Sequence, residues 1–128
     1  MTGTRAALVL VLLCLGGPAA WAQAGSACRP GGTVEETNAC AVQSYQQADT
    51  AIQILYGDVM RALSAHERPA LRQDHAAWQR ERITHCKQAQ RAAESHPEWP
   101  RLYHECLTAQ TEARRAALTH WLHHGEKP

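Results

Sequence analysis

Residues 78–86 read WQRERITHC, and residues 106–118 read CLTAQTEARRAAL. Trp78, Arg82 and Cys86 recur at every fourth position, so they project from one helical face. Cys106 is followed by Thr111, Arg114 and Leu118, which trace a second such face. Cys86 and Cys106 stand equally far from His96, which precedes Pro97. Two helices joined through that His-Pro turn and braced by a disulfide satisfy the symmetry. The same pattern sets a problem. Arg82 and Arg114 fall on faces that otherwise look buried, and a buried guanidinium is costly unless paired.

Upstream, Pro30-Gly31-Gly32 marks a turn and Thr33 an N-cap, with Glu36 completing a capping box. A long helix should follow. Val42, Tyr45, Ala48, Ile52, Leu55 or Tyr56, Val59 and Leu63 alternate in steps of three and four, one face of an amphipathic helix. Asp49 lies on that face, beside Ala48 and one turn from Ile52. Gly57 weakens the helix locally without ending it. A second helix is predicted from about Pro69 to Ala93, with Leu71, His75, Trp78, Arg82 and Cys86 along one edge. Ser95-His96-Pro97 ends it. A third should start near Pro97 or Pro100 and reach about His123, leaving 125–128 as a disordered tail. No strand pattern competes. The expected fold is all-α: a small antiparallel three-helix bundle with two local disulfides.

The N-terminus reads differently. Arg5 precedes an apolar run from Ala6 to Leu15, then Gly16-Gly17-Pro18 and small residues two apart at Ala20, Ala22 and Ala24. This is the arrangement of a secretory signal peptide, expected over 1–24. The run is about half the ~20 residues that a membrane span requires. Lipidation is disfavoured, because Cys14 lies inside the apolar run and Cys28 lies beyond a second cluster of small residues. A single helical domain over 25–124 should remain, of a size suited to one modest core. Of 128 residues, 13 are Lys or Arg and 12 Asp or Glu, so loss of Arg5 leaves the charge balanced. That balance excludes a basic footprint for nucleic acid or anionic lipid. The mature part contains no membrane span. Export places the chain in the periplasm or outside the cell.

Cys28, Cys40, Cys86 and Cys106 remain, an even number in an oxidising compartment. Of three possible pairings, Cys28–Cys40 with Cys86–Cys106 is favoured, because both are local and the second fits the hairpin. Metal ligation is disfavoured, since no C-x-x-C spacing occurs. His120, His123 and His124 suit the negative end of a helix dipole better than a metal site. No cofactor is implied.

Three elements in order resemble a known family. Ala48-Asp49, Ile52-Gln53 and Tyr56 look like A-D-x-x-L-N-x-x-Y. Leu71, His75, Trp78, Arg82 and Cys86 look like L-x-x-x-Q-x-x-W-x-x-x-R-x-x-x-C. Cys106-Leu107, Thr111, Arg114 and Leu118 look like C-L-x-x-x-T-x-x-R-x-x-x-L. Together they resemble the LprI-like lysozyme-inhibitor family of bacterial envelope proteins, from about Cys28 to Leu118. The departures are Ile52, Gln53, His75 and Glu81. The resemblance implies a small exported helical protein and, for some members, inhibition of a lysozyme as protein partner; a non-enzymatic binding protein is the expectation. The alternative is a structural or stress-related envelope protein that binds a partner or cell-wall component without inhibiting lysozyme.

The residues themselves point to a shared polar core of Asp49, Arg82 and Arg114, one from each helix, with Tyr56 and Thr111 completing its hydrogen bonds. Trp78 is the expected core aromatic. Catalysis at this cluster is disfavoured, because a single carboxylate without a nucleophile or second acid makes a poor hydrolase.

Overall fold

A computed structural model describes residues 25–128. The signal peptide expected over 1–24 lies outside the described residues. Three helices follow one another: α1 Val34–Ala62, α2 Arg68–Ala89 and α3 Trp99–His124. Successive helices run antiparallel, so α1 and α3 run parallel and pack closest, with α2 against α3 and reaching α1 through longer side chains. Among the described residues there is no strand, and no helix is long and apolar enough to cross a membrane.

The helix ends explain the boundaries. Thr33 caps α1: its Oγ1 accepts from the Glu36 N–H at 3.3 Å, and its own N–H donates to Glu36 Oε2 at 2.8 Å. At the other end, Arg68 Nε donates to the carbonyls of Met60 and Leu63 at 2.9 and 3.0 Å. It satisfies oxygens that a helix terminus leaves free. α2 stops four residues short of the sequence expectation. Residues Arg91–Ala93 instead form a 3-10 turn, with Ala93 N–H bonded to the Gln90 carbonyl at 3.1 Å. That tighter winding starts the chain reversal that brings α3 back along α2. α3 ends at Gly125, whose N–H makes the last helical bond, to the Trp121 carbonyl, and whose φ of 70° turns the chain out of the helix.

The start of α3 has no cap of its own, since Glu98 makes no capping bond. Asn38, in the first turns of α1, performs that role across the bundle. Its Oδ1 accepts from the Arg101 N–H at 3.1 Å, and its Nδ2 donates to the Pro97 carbonyl at 2.9 Å. One amide thus fixes the 97–101 turn to α1.

Both favoured disulfides are present, Cys28–Cys40 and Cys86–Cys106. The apolar core lies toward the opposite end, in Ile52, Val59, Leu63, Leu71, Leu118 and Trp121. Each fully buried aliphatic side chain there contributes roughly 1.5–3 kcal/mol against exposure.

Asn38→Ala should remove the cross-helix cap and lower stability by about 1 kcal/mol. A thermal melt reads this as a drop of about 4–8 °C.

Candidate functional site

The charged groups of the interior form two pairs rather than one cluster. Arg82 of α2 donates from Nη1 to Asp49 Oδ1 of α1 at 2.8 Å and to Thr111 Oγ1 of α3 at 2.7 Å. Thr111 passes its own proton to the Leu107 carbonyl at 2.7 Å, which leaves its oxygen free to accept. Arg114 pairs elsewhere: its Nη2 donates to Asp74 Oδ2 at 2.6 Å. The reason is level along the bundle. Arg114 lies three residues beyond Thr111, roughly 4.5 Å further along α3. Asp74, two turns before Arg82 on the antiparallel α2, meets it at that height.

Trp78 touches both pairs. The Arg82 guanidinium carbon stands 4.5 Å from its ring centroid and that of Arg114 stands 5.3 Å away. Tyr45 also contacts Arg82, at 5.3 Å. Both guanidinium groups therefore lie within cation–π distance of one ring, which attracts each of them. Trp78 is partly buried and packs against the core. Tyr56 does not join the hydrogen bonds; it stacks on His75, with centroids 4.1 Å apart.

Asp74 was the residue that sequence reasoning missed. Its position, four before Trp78 and on the edge occupied by Leu71 and His75, was the available signal. It also accepts from Trp121 Nε1 at 3.4 Å and pairs with Lys127 Nζ at 3.2 Å. Burial alone would push its carboxyl up, but the hydrogen bond and charge of Arg114, with those of Lys127, hold it below the usual carboxylate range.

His75 is the opposite case. It is 3 % exposed, and neither ring nitrogen has a hydrogen-bond partner. Burial, reinforced by the positive charges of Arg114 and Arg82, lowers its pKa from 6.5 to about 4. It is therefore a neutral ring in the folded protein at pH 7, filling space between Tyr56 and Trp78.

This arrangement braces the three helices against one another. Asp49 and Asp74 are each engaged by an arginine, and the Thr111 hydroxyl beside the first pair donates to the Leu107 carbonyl. Among the described residues, no group of three or more His, Cys, Asp or Glu side chains could hold a metal ion. The rings of His120 and His124 are 4.3 Å apart without a third such group.

The family model for lysozyme inhibitor LprI matches residues 26–118. The chain belongs to the LprI lysozyme inhibitor family. The matched span contains both disulfides and both arginine pairs. Its LprI elements around Asp49, around Trp78 and Arg82, and around Thr111 and Arg114 are thus the three strips that meet at the bundle's centre. No curated protein and no solved structure matches this chain.

Arg82, 5 % exposed, should prove far more sensitive than surface arginines. Arg82→Ala should cost about 3 kcal/mol or more in urea unfolding, by breaking a buried pair. Arg61→Ala, at a side chain 75 % exposed, should change stability by less than about 0.5 kcal/mol.

His75 gives a pH signature. As pH falls, the unfolded chain takes up this proton near 6.5, and the folded chain takes it up only near 4. Stability is therefore full above the first value and declines between the two, by at most roughly 1.4 kcal/mol per pH unit. Urea midpoints measured at pH 7 and 4.5 should differ markedly less in His75→Gln than in the parent. The contribution of Asp74 has the carboxylate sign: present above the ordinary carboxylate range, it is lost at lower pH as the folded carboxyl takes up its proton.

Proposed function

We propose that this chain is an exported, non-enzymatic binding protein that inhibits a lysozyme outside the cytoplasm. The observation that carries the reading is the LprI match across residues 26–118, which spans all three helices. Three further features support it. The signal-peptide arrangement around Arg5 and Ala6 to Leu15 suits export. Two disulfides suit an oxidising compartment. The interior carboxylates are committed to arginines, which suits a rigid binding scaffold better than acid-base chemistry.

An inhibitor of this kind acts by presenting a preformed surface. One disulfide-braced end, an apolar core at the other and a paired polar centre keep that surface from rearranging, so little ordering entropy opposes binding. The decisive measurement is lysis of suspended bacterial cell walls by several classes of lysozyme, with and without the purified protein. Saturable inhibition of at least one class is expected. Full lysis with every class, at protein concentrations well above that of the enzyme, would overturn the reading.

A further inference from the structure

Asp74 uses its two oxygens differently. Oδ2 accepts from Arg114 and Trp121, inside the bundle. Oδ1 faces outward and meets Lys127 Nζ at 3.2 Å. The inner pair is fixed, since the Arg114 side chain is 7 % exposed and that of Asp74 12 %. The outer contact is not. The Lys127 side chain is 73 % exposed and follows the left-handed Gly125 cap, in a segment without regular secondary structure. Exposed ion pairs of this type are weak, because water and salt compete for both partners.

Around this oxygen lies a recess of about 340 Å³, lined by Ala70, Gln73, Asp74, Ala77, Trp121 and Lys127. Ala70 and Ala77 stand four before and three after Asp74, on the same face of α2. Their methyl groups leave an apolar floor on either side of the carboxylate, and Trp121 adds an apolar wall. A long aliphatic stem ending in a cation fits such a shape, with its methylenes on the floor and its charge on Oδ1. Lys127 shows the charge half of that fit from within the chain, with its Nζ on Oδ1 while its stem stays in solvent.

We propose that this recess receives an arginine or lysine side chain of a partner protein, and that Lys127 is a resident placeholder which the partner displaces. The chemistry of the occupant follows from Lys127 itself. The identity of the partner rests on the reading given above, that the target is a lysozyme. The division between the two oxygens lets exchange at the rim proceed while Arg114 keeps Asp74, and with it α2 and α3, in place.

Two measurements on the whole chain test this. The first uses N-acetyl-arginine amide as probe and follows the indole N–H resonance of Trp121, which bonds to the same carboxylate. Lys127→Ala should show a saturable shift at lower probe concentration than the parent. Ala70→Arg, which places a guanidinium one turn from Asp74 at an exposed position, should show none. No shift in Lys127→Ala, or an undiminished one in Ala70→Arg, overturns the proposal.

The second is the lysis assay. Lys127→Ala should inhibit at about two- to fivefold lower concentration, the range an exposed pair is worth, and Ala70→Arg should inhibit several-fold less well. Melting curves close to the parent's exclude misfolding as the cause. Inhibition that neither substitution alters overturns the proposal and leaves the inhibitor reading standing. A normal probe response without inhibition of any lysozyme supports the recess and overturns lysozyme as its partner.

Discussion

The bundle depends on one guanidinium shared among three helices. Arg82 leaves α2 and bonds a carboxylate of α1 and a hydroxyl of α3 from a single nitrogen. Hydrophobic burial brings the helices together but tolerates sliding, because apolar contact has no direction. A buried charge tolerates much less. Shifting α1 by one turn would take the carboxylate from the Arg82 guanidinium, at a cost of several kcal/mol, and shifting α3 would take its hydroxyl partner. The register of all three helices therefore follows from satisfying one side chain. The Asp74–Arg114 pair repeats the constraint between α2 and α3 further along the bundle, and the Trp78 ring lies within reach of both cations.

This division explains what the sequence could reveal. The helices were legible because their apolar positions recur in steps of three and four, and because Thr33, Glu36, Pro97 and the two cysteine pairs punctuate them. Arg82 and Arg114 were legible as anomalies, charges on stripes that ought to be apolar. The partner of Arg114 was not. Choosing between Asp49 and Asp74 requires knowing which residues stand at one height, and that depends on how far each antiparallel turn carries the chain. The loop between α2 and α3 also winds more tightly than periodicity suggested, which ends α2 at Ala89.

Asn38 and Arg68 were invisible for a related reason. Each caps the end of a helix other than its own, Asn38 at the start of α3 and Arg68 at the close of α1. Local capping rules read neighbours in sequence, whereas these bonds join neighbours in space. Thr33 and Glu36, three residues apart, were readable by the local rule. His75 had a different ambiguity. It falls on the apolar edge of α2 as a core residue should, but its isolation from every hydrogen-bond partner could be seen only with Tyr56 and Trp78 placed around it.

The two disulfides lie toward one end of the bundle, with the Asn38 bridge, and the apolar cluster from Ile52 to Trp121 lies toward the other. The molecule thus carries two kinds of rigidity arranged along its axis. One end answers to redox conditions and the other to temperature and denaturant. A reducing environment would loosen the start of α1 and the 90–98 reversal, while Leu71, Leu118 and Trp121 remain interlocked. Opening would then proceed as a gradient along the axis rather than as one event, with amide exchange reaching the cysteine-bearing turns well before the helix segments beneath Val59.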